Sequence, residues 1–229
     1  MHLSTHTDGI RRLSTNRPVS AFCTGAVDVD ALGQSMQLMG AMMTYPRDAE
    51  IFGESEPAEY IYKVVSGSVR THKILSDGRR QVSGFYLPGD IFGLEFADEH
   101  TLSAEAIGDA KVLVVKCSAL NALAGRDASV AQQLFALTGH ELHRVQDRIL
   151  LLIKNARERV STFLLEMAER GSENNTIELP ISRQDIADYL GLTIETVSRT
   201  LTSLETTSTI EVSASSRRIV LRNRAALAA

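Results

Sequence analysis

The sequence has only two cysteines, Cys23 and Cys117, among 229 residues. That is too few for a disulfide framework or for a metal site built by one chain, and it fits a reducing compartment. No apolar run reaches the roughly 18–20 residues that cross a bilayer, and the first residues lack the apolar core of a signal peptide. A cytoplasmic protein with no membrane partner is therefore expected. The chain also lacks paired nucleophile and base at a working spacing, a phosphate-cradling glycine loop and a metal-ligating constellation, so neither an enzyme nor a bound cofactor or metal is expected. A charge excess that would announce a polyanion binder is missing too, since the net charge is −4.

The distribution of charge says more than its total. Residues 1–153 hold 14 Lys/Arg and 18 Asp/Glu, whereas residues 154–229 hold 10 of each. The last positive charges, Arg217, Arg218, Arg222 and Arg224, all follow the last acid, Glu211. A local basic patch can bind phosphate even in an acidic chain.

Four regions follow along the chain. Residues 1–27 are polar without apolar period and read as a flexible tail, which contains Cys23. Residues 28–124 have a β texture: EYIYKVVSGSVRTHKIL, RQVSGFYL and AKVLVVK are separated by the turn signals SG, SDG, PGD and IGD. Short strands at this spacing predict an antiparallel roll or barrel, preceded by a short helix over ALGQSMQLMGAM. Cys117, after VLVVK, reads as a small buried residue. Residues 125–154 change period to that of a long helix. Val130, Leu134, Leu137, Val145, Ile149 and Leu152 fall at three-to-four spacing, interrupted by Glu141, with Leu142 and Ile153 widening the stripe. A helix of about 27 residues spans ~40 Å, more than a small roll covers, so the stripe predicts a dimer seam. His140 and His143 read as solvated helix surface.

Residues 155–229 read as a small helical domain. NARERVSTFLLEMAERG is amphipathic and ends at Gly171; RQDIADYLGL and IETVSRTLTSLE are two helices joined by a tight turn; IEVS and RIVL form a hairpin. Ala187 is small where the helices cross, Gly191 suits a turn needing positive φ, and Val197 is a core contact from the second helix. Ser182 with Asp185 three residues on predicts a capping box, and Thr193 a second cap. Together these specify a helix-turn-helix.

With Val197 and Leu201 facing inward, Ile194, Glu195, Ser198 and Arg199 lie on the outer N-terminal half of the second helix. In this motif that half enters the major groove. An arginine can contact guanine O6/N7 in bidentate fashion, and a carboxylate can accept from cytosine N4. Read blandly, Glu195 and Arg199 form an i,i+4 surface pair, contributing about 0.3–0.5 kcal/mol. Ser182, Arg183 and Gln184 open the first helix, where backbone N–H groups favour phosphate. With Thr193, Thr196, Arg217 and Arg218 they are candidate DNA-backbone contacts.

At Glu195-Thr-Val-Ser198-Arg199 the chain resembles the CRP/FNR family of bacterial transcription regulators, and the resemblance covers nearly everything after the tail. It implies an α+β fold: a cyclic-nucleotide-binding-like β-roll (jelly roll), a long dimerisation helix and a C-terminal winged helix-turn-helix. The E-x-x-S-R pattern implies the FNR-like branch and a TTGA-type inverted repeat. LSDGRRQ is similar to the family's RNA-polymerase-contacting hairpin, which would place Asp77, Gly78, Arg79 and Arg80 there. Departures narrow the branch. Four thiolates for an iron–sulfur cluster cannot be assembled from this chain. In the stretch FGLEFADEHTLSAEA, Leu94 stands for the ribose-binding glutamate and Leu102-Ser103 for the family's Arg-Ser, so a buried cyclic phosphate would lack its counter-charge. The resemblance is thus to the FixK-type branch. It implies a homodimeric activator of micro-oxic respiration and nitrogen-fixation genes that binds double-stranded DNA and RNA polymerase without an effector. The competing expectation is the same fold gated by another ligand in the roll, haem or a small acid.

Overall fold

The computed structural model describes residues 29–171, 175–213 and 218–228. The tail over 1–27, with Cys23, and Arg217 lie outside the described residues.

Helix α1 (Val29–Met39) leads into eight strands: β1 (Ala41–Tyr45), β2 (Glu50–Phe52), β3 (Tyr60–Ser66), β4 (Val69–Ile74), β5 (Arg80–Tyr86), β6 (Ile91–Phe92), β7 (Ser103–Ala106) and β8 (Ala110–Lys116). They form two four-stranded antiparallel sheets in the orders β1-β8-β3-β6 and β2-β7-β4-β5. The helix expected over 31–42 stops at Met39, because residues 41–45 pair with β8, Ala41 opposite Val114. Phe52, Tyr62, Val64, Val69, Phe92 and Val112 fill the space between the sheets. The outer face of the first sheet is covered as well. Ile61, Leu113 and Val115 meet Leu32 and Met36 of α1, Leu120 of α2 (Cys117–Ala124) and Val130 of α3 (Ala128–Leu151). Burial on both faces explains why AKVLVVK runs nearly continuous in apolar residues instead of alternating. The turn between β3 and β4 requires Gly67: its φ is 79°, and a Cβ there would lie 2.3 Å from the Asp109 carbonyl oxygen.

After a turn at 152–155 come α4 (Ala156–Gly171), β9 (Thr176–Glu178), α5 (Arg183–Leu190), α6 (Ile194–Thr206), β10 (Ile210–Val212), β11 (Arg218–Leu221) and α7 (Arg224–Ala228). The terminal hairpin gains a third strand, since β9 pairs with β11, Ile177 opposite Ile219. Helix α7 was not expected; Asn223 caps it by accepting from the Ala226 N–H, and Leu227 is buried. Phe163, Leu164 and Met167 of α4 pack with Ile186, Leu190, Val197, Leu201, Leu204 and Ile219. The same apolar cluster continues into Val82 and Phe85 of β5 and Ile107, so the C-terminal unit is seated on the roll.

Helix α3 corrects the expected seam. Val130 is buried against the chain's own roll, and Leu134 and Leu137 pack there too. Glu141 pairs with Arg144 on the same helix at 2.8 Å. Further along this face, Arg144 lies over the Tyr86 ring, Arg148 reaches the β5 carbonyls, and Leu151 is buried. A different face is exposed: Phe135 (80%), Leu142, Val145, Ile149 (60%) and, just past the helix, Leu152. With Thr138 these positions repeat at alternating spacings of three and four, and they stand about 100° around the helix from the first face. The stripe read from the sequence crosses from one face to the other between Glu141 and Val145. Its first half is intramolecular, and Phe135 and Leu142 belong to the exposed half.

Candidate nucleic-acid interface

Helices α5 and α6 form a helix-turn-helix whose every joint has a local cause. The Ser182 hydroxyl accepts from the Asp185 N–H at 3.0 Å while the Asp185 carboxylate reaches back to the Ser182 N–H, completing a capping box. Gly191 ends α5 at φ 63°, ψ 40°, and the Leu192 N–H returns to the Ala187 carbonyl, a left-handed stop that glycine adopts at least cost. Thr193 caps α6 by accepting from the Thr196 N–H at 3.2 Å, and the two hydroxyls lie 3.0 Å apart. Ala187 and Val197 are fully buried at the crossing.

This packing turns Ile194, Glu195 and Arg199 to solvent, with Ser198 half-buried beside them. Arg199 makes no ion pair among the described residues. Hydrogen bonds from its own backbone N–H and from Thr193 hold the Glu195 carboxyl below the ordinary carboxylate range, and Arg199 adds a smaller pull. Glu195 therefore sits as a first-turn acid at the positive end of α6, and the exposed Arg199 interacts with it only weakly. Arg183 donates to the Ser198 hydroxyl at 3.3 Å, linking the two helices. Gln184 Nε2 donates to Asp188 Oδ1 at 2.6 Å. Ser182 is exposed at the start of α5, and Arg218 is exposed where β11 begins.

The residues that seat this motif on the roll gave no sign in the sequence. Arg70 of β4 is buried and reaches three carboxylates: Glu105 at 2.7 Å, Asp48 at 3.2 Å and Asp185 at 3.3 Å. Arg80 of β5 binds Asp185 at 2.6 Å and Asp188 at 2.8 Å. Gln81 Nε2 donates to the Asp188 carbonyl at 2.6 Å, and Arg148 of α3 donates to the carbonyls of Val82, Ser83 and Tyr189. Arg170 of α4 binds Asp90 and the Phe85 carbonyl. The partners lie up to 115 residues apart in the chain, beyond any spacing rule.

Comparison with known proteins settles the family. Residues 158–229 match the Crp-like helix-turn-helix domain, and residues 42–127 match the cyclic nucleotide-binding domain. The chain is 49% identical to the nitrogen fixation regulation protein FixK of Azorhizobium caulinodans, over 85% of this chain and 80% of that one. It is 39% identical to FixK of Rhizobium meliloti, over 81% and 85%. The chain belongs to the CRP/FNR family, as a FixK-type transcription regulator. The solved structure of FixK2 from Bradyrhizobium japonicum superposes with a TM-score of 0.80 at 53% identity, covering 83% of this chain and 96% of that one. Its relatives are transcription regulators, not enzymes.

Within this CRP/FNR protein, the loop between β6 and β7 is held by local hydrogen bonds and exposes Phe96. Glu95 Oε1 accepts from the Thr101 N–H and hydroxyl, and Ser103 Oγ accepts from the Glu54 N–H at 2.9 Å. Between the sheets, Phe52, Tyr62, Phe92 and Tyr86 stack with centroids 5.1–6.2 Å apart. His100 lies on Phe52 at 3.7 Å. The LSDGRRQ hairpin projects Asp77, Gly78 and Arg79, with Asp77 and Arg79 paired at 2.7 Å. Arg80 departs from the expected polymerase surface: its guanidinium is committed to Asp185 and Asp188. Among the described residues no His, Cys, Asp and Glu cluster could hold a metal, and no helix is long and apolar enough to cross a membrane.

Proposed function

We propose that this chain works as a homodimer that reads a TTGA-type inverted repeat and recruits RNA polymerase without a small effector. It would activate genes of micro-oxic respiration and nitrogen fixation, the process named for its FixK relatives. The observation that carries the reading is the solvent-facing first half of α6, where Arg199 is exposed beside Glu195 and Ile194 and makes no close ion pair among the described residues. An exposed arginine at that position can form a bidentate bond to guanine, worth about 1–3 kcal/mol of discrimination. Ser198 completes the reading set. Ser182, Arg183, Gln184, Thr193, Thr196, Arg217 and Arg218 would contact DNA phosphates.

Dimerisation is assigned to a second copy on the exposed face of α3. Phe135, Leu142, Val145, Ile149 and Leu152 form an unpartnered apolar row with coiled-coil spacing. Two-fold symmetry then demands half-sites about one helical turn apart. Effector independence is supported by the stacked rings that occupy the roll interior. The exposed hairpin tip, Asp77, Gly78 and Arg79, is the proposed polymerase contact.

The test is in-vitro transcription with effector-free protein and RNA polymerase on a TTGAT-N4-ATCAA template, alongside binding to the same duplex scrambled. Activation confined to the intact repeat supports the reading. Equal binding to scrambled duplex removes it, and a requirement for added haem or small acid would favour a ligand-gated roll instead.

A further inference from the structure

We propose that Arg70 and Arg80 are positioning residues for operator reading: they fix α5, and through it α6, at one angle to the roll. The proposal rests on the DNA-reading function above. Only residues 152–155 join α3 to the C-terminal unit, so its orientation must come from non-covalent seating. The apolar part of that seating, Val82, Phe85 and Ile107, is non-directional. The polar part is directional, and it grips α5 at both ends. At the N-terminal end Asp185, itself buried, is held by Arg70, Arg80 and the Ser182 hydroxyl. At the C-terminal end the carbonyls of Asp188 and Tyr189 accept from Gln81 and Arg148.

Buried ion pairs contribute little net stability compared with apolar residues of the same shape, because desolvation offsets the attraction. What the Arg70 fork adds is geometry: a planar guanidinium with carboxylates on three sides admits one arrangement. Helix α6 follows α5, since Ala187, Val197, the Gly191 turn and the Arg183–Ser198 bond make the pair one unit. The roll and α3 carry the proposed dimer face. Fixing α5 to the roll therefore fixes the separation and tilt of two recognition helices in a dimer, the quantity an effector would otherwise have to set.

The experiment compares full-length wild type with Arg80→Ala, Arg70→Met and Arg70→Lys on two duplexes: the TTGAT-N4-ATCAA repeat, and the same duplex with one half-site scrambled. Arg80 is partly exposed, so its truncation tests the idea even if Arg70→Met folds poorly. Both truncations should weaken binding to the repeat by roughly 5- to 150-fold, the usual span of site-to-site coupling, and leave half-site binding unchanged. Arg70→Lys should recover part of the loss, and amide exchange at 152–155 should quicken in the truncated variants. If wild type reads the repeat and both truncations bind it equally well, or if both duplexes weaken alike, the positioning role is wrong. If wild type does not distinguish the repeat from scrambled DNA, the reading function itself fails and takes this role with it.

Discussion

The Arg183 guanidinium of α5 donates to the Ser198 hydroxyl of α6, 3.3 Å away. A residue proposed to hold a phosphate is thus tied to one proposed to read a base, while Arg199, one position further along α6, is exposed and makes no ion pair within 4 Å among the described residues. The two arginines should answer differently to mutation. Arg199→Ala should relax the preference at one guanine, costing about 1–3 kcal/mol on the intact site. Arg183→Ala should weaken all sequences alike and lower the salt slope of binding by about one. Binding titrations at several salt concentrations, on the repeat and on single-base variants, separate the two. A uniform loss for Arg199→Ala would remove it from the reading set.

The two faces of α3 give a second contrast. Ile149→Asp places a charge in the exposed row and should shift the protein to monomer in sedimentation, with the far-ultraviolet circular dichroism of the folded chain retained and the thermal midpoint lowered by loss of the dimer. Val130→Ala removes methyl groups from a fully buried position and should lower stability by about 1–3 kcal/mol without changing the oligomeric state. Reversed outcomes would mean that the dimer uses the other face.

How much of this was readable beforehand depended on the range of the physics involved. The capping box at Ser182, the left-handed stop at Gly191 and the inward Val197 are set by residues within a few positions of one another, and the helix-turn-helix follows from them. The β-roll was readable from turn signals and alternation. The face of α3 was not, because a three-to-four stripe continues smoothly while the helix hands its apolar side from the roll to solvent. Nothing local marks Arg70 either: it is one polar residue in a strand, and its partner Asp185 reads as an ordinary cap. Arg80 looked like part of an exposed tip for the same reason. Long-range ion pairs leave no periodic trace.

Gly191 permits a sharp prediction. Its φ of 63° lies in the left-handed region, and a Cβ there would meet only Arg159 Nη1 at 3.7 Å, an ordinary van der Waals contact. Substitution therefore meets backbone strain and not a clash. Gly191→Ala should lower stability by roughly 1–2 kcal/mol, and Gly191→Asn by less, since asparagine tolerates this conformation. Denaturant midpoints of the two variants decide it; equal losses would point to crowding instead.

Acid should loosen the roll through His100. Its side chain is buried and stacks on Phe52; among the described residues neither nitrogen has a hydrogen-bond partner, and Glu95 Oε1 stands 3.9 Å from Nδ1. Burial pushes its pKa below the ordinary 6.5, with Glu95 and Glu56 opposing that shift only in part. Above pH 6.5 the folded and unfolded chains are both neutral at this site, so it imposes no penalty. Below 6.5 the unfolded chain takes up a proton that the folded chain refuses, and unfolding is favoured increasingly until the lower folded value is passed. His72 is also depressed, chiefly by burial and further by Arg80 and Arg70, although Glu105 pulls the other way; it adds to the same trend. His100→Phe keeps a flat ring on Phe52 but cannot titrate. Stability measured from pH 7.5 downward should therefore fall less steeply in the variant than in wild type, by up to one proton in the unfolding slope, with the two curves parallel above pH 7. A variant with the wild-type slope would show that the folded roll leaves the His100 pKa where it stands in the unfolded chain.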